Sequence, residues 1–267
     1  MNIPYYQVDV FTNQLFRGNP AGVCLLPAGW LADDLMQSIA FENNLSETAF
    51  VMQQGDRFGL RWFTPALEMD LCGHATVAPA HVLMDEIGLD AQSITFETRS
   101  GPVTVTKQQD TLVLDFPSRP PQLCEPPESA GQLEAALGKT PVEVRRSRDY
   151  FFVYEHEKDI RTLNPDFELL RAWDSLGIIV TAAGDSVDFV SRFFAPAAGV
   201  NEDPVTGSAH ASLIPYWAER LGKSQLHALQ LSARGGELFC EHAEPRVKIG
   251  GRALTYFHGE ITLSSEA

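Results

Sequence analysis

The feature that most constrains this 267-residue chain is an internal duplication. Arg61-Trp62-Phe63-Thr64-Pro65 returns as Arg192-Phe193-Phe194-Ala195-Pro196, 131 residues later. Cys72-Gly73-His74-Ala75 has a counterpart in Thr206-Gly207-Ser208-Ala209, at an offset of 134. The second copy therefore carries three extra residues between its two elements. In both copies fifteen residues separate the turn glycine from a second one, Gly73 from Gly88 and Gly207 from Gly222. Self-similarity of this kind marks one structural unit used twice, so two similar lobes are expected.

Between those glycines lie Val77, Ala78, Val82, Leu83 and Ile87 in the first copy. The second has Ala211, Leu213, Ile214, Trp217 and Leu221. Stretches apolar on most sides predict buried helices, each opened by a small-residue turn and closed by a C′ glycine. Pro79 and Pro215 are expected early in them, where a missing N–H costs least. Alternating or β-branched runs predict strands over 6–11, 46–52, 58–63, 94–97, 103–106 and 112–116, and then over 151–154, 178–181, 187–194, 230–233, 238–241 and 247–249. Further helices are expected over 33–42, 128–137 and near 167–173. The proline-dense stretch 117–127 suits neither helix nor sheet and marks a boundary. The expected fold is α+β, with two pseudo-symmetric lobes over 1–117 and 118–267. Each is a mainly antiparallel, barrel-like sheet around a central helix, with the last strand able to return to the first lobe.

Charge narrows the function. Thirty-five acidic residues against 20 basic ones give a net charge of −15, which disfavours nucleic acid. An anionic substrate would then need a locally positive pocket. No apolar run approaches the roughly 20 residues of a membrane helix. The start, Met1-Asn2-Ile3-Pro4-Tyr5, lacks the basic and apolar segments of a signal peptide, so a cytoplasmic protein is expected. Cys24, Cys72, Cys124 and Cys240 form no CxxC pair, so neither a zinc site nor a disulfide framework is expected.

The repeated turns hold the candidate chemistry. A helix start presents unpaired N–H groups and partial positive charge. Glycine lets a ligand approach that backbone, and two such starts could cradle a carboxylate. Gly-His-Ala-Thr and Gly-Ser-Ala-His equally fit tight structural turns. His74 directly follows Gly73 and is either a catalytic group or a satisfied helix-start histidine. Asp203 lies in Glu202-Asp203-Pro204-Val205-Thr206-Gly207-Ser208, where Asp-Pro is also a common turn starter. Glu47 opens an otherwise apolar strand, either as an exposed edge residue or as an acid–base group.

Together these motifs resemble a known family. Asp9-Val10-Phe11-Thr12 is followed by Arg17-Gly18-Asn19-Pro20-Ala21-Gly22, then by Leu45-Ser46-Glu47-Thr48-Ala49-Phe50. Phe63-Thr64-Pro65, Cys72-Gly73-His74-Ala75-Thr76 and Glu202 to Ala209 complete the series across most of the chain. In this order they resemble the PhzF-like family, named for a phenazine-biosynthesis isomerase and sharing the diaminopimelate-epimerase fold. The resemblance implies two lobes with the active site between them, no metal or organic cofactor, and a homodimer. It implies that Glu47, in its Ser-Glu-Thr setting, is the main proton donor and acceptor. His74 and Asp203 would be the accompanying acid–base and orienting groups. Ser208 and the backbone N–H groups of Gly73 and Gly207 would hold a substrate carboxylate, with Asn19 and Ser46 also at the substrate.

One departure separates this chain from related epimerases. Diaminopimelate epimerase and the proline racemases use two cysteines, one from each lobe. Cys72 fills the first place, but Thr206 fills the second. A hydroxyl is far too weakly acidic to replace a thiol of pKa about 8.5, so Cys72 is expected to be a packing residue. The resulting reading is a cofactor-independent isomerase that moves a proton on a small carboxylate-bearing molecule, cyclic amino and hydroxy acids included. Two alternatives remain beside it: a metabolite-binding or protein-interaction scaffold, and an epimerase that uses Cys72.

Overall fold

The computed structural model describes residues 1–128 and 130–263. It divides into two compact units, Met1–Asp115 with the segment from Gly250 onward, and Phe116–Ile249. The first unit runs β1 (Asn2–Val10), β2 (Asn19–Leu26), α1 (Asp33–Asn43), β3 (Glu47–Gln54), β4 (Arg57–Phe63) and a short β5 (Glu68–Met69). It continues with α2 (His74–His81), β6 (Ser93–Thr98), β7 (Gly101–Gln108) and β8 (Thr111–Pro117). The second holds β9 (Gln122–Leu123), α3 (Ala130–Leu137), β10 (Glu143–Arg146), β11 (Tyr150–Val153), α4 (Glu157–Thr162) and α5 (Phe167–Arg171). Then follow β12 (Ile178–Ala183), β13 (Phe189–Phe194), α6 (Gly207–Leu221), β14 (Gln225–Gln230), β15 (Gly236–Ala243) and β16 (Arg246–Gly251). The last strand, β17 (Ala253–Thr262), pairs antiparallel with β1 from Asn2↔Thr262 to Val10↔Ala253.

The two units share one pairing plan. In the first, β1 lies antiparallel to β2, β2 parallel to β3, β3 antiparallel to β4, β4 parallel to β6, and β6 antiparallel to β7. In the second the same series runs β10, β11, β12, β13, β14 and β15. Parallel neighbours need a crossover, and helices lie on every one of these crossovers. The second crossover of each series carries the repeated helix, α2 or α6.

Strand periodicity decides what faces that helix. Phe50 and Met52 pack with Met36 and Ile39 of α1, and with Cys24 and Leu26 of β2. Alternate residues point the other way, so Glu47, Ala49 and Val51 share the opposite face of β3. Asn19, Ala21 and Val23 share the corresponding face of β2, in a register that pairs Ala21 with Glu47. All eight residues of α2 are buried.

Proline placement differs from the expectation. Pro79 is the sixth residue of α2, and Pro215 is the ninth of α6. A proline inside a helix removes the bond to the carbonyl four residues earlier. Here both carbonyls find other donors. The Trp62 indole N–H donates to Ala75 O at 3.1 Å, and the Arg119 backbone N–H donates to Ala211 O at 2.9 Å. Beyond α2 the chain widens into one π-helical stretch, Val82–Glu86, before Gly88 closes it at φ 78°.

The repeat extends to a partly buried charge pair. Arg61 meets Glu68 through two hydrogen bonds of 2.7 Å, and its guanidinium lies 5.2 Å from the Phe63 ring centroid. Arg192 meets Glu202 at 2.7 and 3.0 Å and lies 4.9 Å from the Phe194 ring. Both glutamates sit five residues before the turn glycine, so the three-residue insertion falls between Arg192 and Glu202.

Some elements depart from the sequence-based expectation. The strand expected over 230–233 is β14, ending at Gln230. β2, β5, β9, β10, β17 and α4 were not foreseen, and β9 lies inside the 117–127 stretch expected to suit neither helix nor sheet, pairing there with β10. The helix expected over 128–137 runs Ala130–Leu137; residue 129 lies outside the described residues. Among the described residues no helix is long and apolar enough to cross a membrane.

Candidate active site

Within the first unit, four predicted site residues meet through their side chains. Glu47 opens β3 on the face turned toward α2, whose first residue is His74. His74 Nε2 lies 3.1 Å from Glu47 Oε2. The distance is that of an ion pair, yet neither atom has an aligned hydrogen bond among the described residues. On the other side of the ring, Asn19 Nδ2 lies 3.1 Å from His74 Nδ1. Ser46 Oγ–H donates to Asn19 Oδ1 at 3.2 Å. Asn19 is fully buried and His74 is only 3% exposed. Gly73 is the N-cap of α2, its carbonyl accepting from Thr76 and Val77.

Asn19 is placed by a loop that only glycine completes. Gly18 has φ +67°, and a Cβ there would lie 2.2 Å from Val10 O. Asp9 Oδ2 accepts from the Phe16 backbone N–H at 2.9 Å, tightening the same loop.

The electrostatics make His74 the cation of the cluster. Burial alone would depress its pKa, but Cys72 and Glu47 outweigh burial and hold it well above 6.5. Cys72 Sγ lies 3.6 Å from His74 Nδ1. Burial, reinforced by Glu47, raises the Cys72 thiol. With Asn19 donating to Nδ1, the neutral ring carries its proton on Nε2, toward Glu47. The doubly protonated ring requires the amide to present its oxygen instead.

The predicted residues of the second unit form their own cluster at the start of α6. Asp203 Oδ2 accepts from Thr206 Oγ1–H at 2.5 Å, so the Asp203 carboxylate ties the turn that leads into the helix. Gly207 is the first residue of α6 and Ser208 the second. Arg148 Nη2 lies 3.4 Å from Ser208 Oγ while pairing with Asp149 at 2.8 Å. The guanidinium brings positive charge to a helix start in an acidic chain.

Four residues of these clusters, Gln230, His210, Thr76 and Arg148, were not expected from the sequence. Gln230 is fully buried. Its Oε1 accepts from Thr206 N–H at 2.9 Å, and its Nε2–H₂ donates to Asp203 O at 2.9 Å and Thr206 Oγ1 at 3.1 Å. His210 Nδ1–H donates to Thr206 O at 2.8 Å, and burial pushes its pKa down to about 4, so the ring is neutral. Thr76, its counterpart in the repeat, donates its hydroxyl to Cys72 O at 2.5 Å. A polar residue three places after each turn glycine was the available signal for that pair. Nothing local signals Arg148.

The α+β fold of duplicated units is of the epimerase-like type. A solved structure titled a predicted epimerase of Pseudomonas aeruginosa shares the fold, with a TM-score of 0.74 at 19% identity, covering 98% of this chain and 100% of that one. The family is more specific. The chain belongs to the PhzC-PhzF family, whose profile, described as phenazine biosynthesis-like protein, matches residues 8–259. A Pseudomonas aeruginosa protein named as an uncharacterized isomerase is 52% identical over 265 residues, covering 99% of this chain and 100% of that one. A phenazine biosynthesis-like domain-containing protein of Bos taurus is 42% identical, over 98% of this chain and 100% of its own. The crystal structure of a PhzF-family protein from Enterococcus faecalis superposes with a TM-score of 0.95 at 50% identity, covering 98% of this chain and 100% of that one. The chain is an enzyme of the isomerase type.

Proposed function

We propose that this isomerase moves a proton within a small carboxylate-bearing amino or hydroxy acid, cyclic compounds included, using Glu47 as acid–base and no organic cofactor. The observation that carries this reading is the contact of Glu47 with His74 at 3.1 Å. Glu47 accepts the proton from an activated carbon and delivers it, or one from solvent, elsewhere on the same conjugated system. His74 stabilises the Glu47 carboxylate before the transfer and donates to charge that develops on the substrate. Asn19 and Ser46 hold the imidazole in place.

Asp203 is proposed as a further acid–base group, and Gly207 and Ser208 as a carboxylate-binding helix start. First-turn N–H groups suit that role, and Arg148 adds charge. The Cys72 epimerase alternative finds less support: the thiol is raised by burial, and Thr206 stands where a second thiol would be needed. The cytoplasmic and homodimeric states expected from the sequence belong to this reading as well.

The test is a screen in deuterated water. Cyclic and aromatic-precursor amino and hydroxy acids are incubated with the protein and followed by mass spectrometry. Enzyme-dependent deuterium uptake into one chemical class is expected. Ligand binding without uptake across the panel would instead favour the scaffold alternative.

A further inference from the structure

We propose that Glu47, Cys72 and His74 form a binding site for Zn²⁺, in which the ion acts as an inhibitor of the proton-transfer centre. One donor atom from each residue lies within 4.8 Å of the others. Sulfur, imidazole nitrogen and a single carboxylate oxygen suit zinc far better than magnesium or calcium, which demand more oxygen ligands. Glu47 Oε2 and His74 Nε2 are buried and lack aligned hydrogen bonds among the described residues. The two face each other without an aligned hydrogen bond, so an ion between them would engage both. Their 3.1 Å separation is close to the roughly 3.3 Å between neighbouring ligands of a tetrahedral zinc with bonds of about 2.0–2.2 Å. Cys72 Sγ lies 3.6 Å from the other ring nitrogen, Nδ1, so coordination through Nε2 requires the Cys72 side chain to swing toward the Glu47 side of the ring, within the 4.8 Å that already encloses the three donors.

Three protein ligands leave a fourth tetrahedral position for water. With the ion on Nε2, Nδ1 carries the ring proton and needs an acceptor, so Asn19, 3.1 Å away, serves as the outer partner by presenting its amide oxygen. Cys72 binds as thiolate, its proton passing to solvent. The ion occupies the Glu47 lone pair that the proposed reaction needs, so binding and proton transfer exclude each other. Spacing in the sequence argued against a zinc site, because Glu47 stands 25 residues before Cys72 and no CxxC is present; the fold brings the three donors together. Binding is independent of the proposed reaction; only the inhibitory consequence rests on it.

The experiment is a titration of the reduced full-length protein with Co²⁺, followed by the thiolate-to-cobalt charge-transfer band. One equivalent is expected to bind and to be displaced by Zn²⁺. Cys72→Ser and His74→Gln are expected to weaken binding about 100-fold or more, beyond the 10–100-fold typical of losing an outer partner. Cys124→Ala, which removes the more accessible thiol, is expected to keep the band. Absence of the band in wild type, or its loss only in Cys124→Ala, would overturn the site. Deuterium exchange that persists in the zinc-loaded protein would overturn the inhibition. An exchange screen that is negative even without metal counts against the proposed reaction, while the cobalt band still decides the site.

Discussion

His74 and His210 are both buried at the starts of the repeated helices, yet they titrate in opposite directions. His74 has a carboxylate at 3.1 Å and is raised well above 6.5. His210 has a carbonyl partner and the Phe189 ring, and burial lowers it to about 4. Between pH 6.5 and 4 the unfolded chain binds a proton at His210 that the native state refuses. Stability therefore falls as pH drops through that window, by about 1.4 kcal/mol per unit for this one group. Urea denaturation of wild type and His210→Gln at pH 7 and pH 4.5 should show the smaller pH loss in the variant. For His74 the sign reverses. Its stabilising contribution is complete below 6.5 and disappears as pH rises through its elevated native pKa. At this scale Glu47 and His74 were legible beside a strand start and a turn, whereas Asn19 and Ser46 entered only through the family resemblance. Gln230 was not, since its three bonds arise from tertiary contact with a turn 24 residues earlier. The sequence reading also placed it at the start of a strand instead of the end.

The repeated Arg–Glu pair and the mid-helix prolines are the features that elements supply. Arg192 and Glu202 are 12% and 20% exposed at their side chains, so removing one partner strands a largely buried charge. Glu202→Ala should cost about 2–3 kcal/mol in chemical denaturation. Asp33→Ala, which removes a largely exposed partner of Arg61, should cost far less, as surface pairs do. Gly18→Ala should destabilise by more than about 1 kcal/mol, because its Cβ meets Val10 O; the measurement is a thermal or urea melt. The repeated helices were legible from their paired glycines, and the strands from alternation. β17 was not, because Tyr256, Phe257 and His258 are all exposed and break the apolar alternation. β2 opens with Asn19-Pro20-Ala21-Gly22, residues that read as a turn until the pairing with β1 is seen. Arg61 and Arg192 stood out in the repeat, but Glu68 and Glu202 did not, because the insertion shifts their spacing from the arginines and only the spacing to the turn glycines is kept.

At the scale of the whole chain, the duplication in sequence corresponds to one pairing plan executed twice. The first unit depends on both ends of the chain, since β17 pairs with β1 along its length. A chain ending at Ile249 is expected to lose hydrogen-exchange protection throughout β1, whereas retained protection would show that the unit closes without its last strand. The reaction itself turns on one proton carrier. The decisive measurement is the deuterium exchange rate of wild type and Glu47→Gln, on a compound that wild type labels. The amide keeps the size of the side chain and removes its ability to accept a proton. Exchange reduced by about 10²-fold or more, with ligand binding nearly intact, is the predicted result. Undiminished exchange in Glu47→Gln would contradict the assignment of Glu47 as the acid–base.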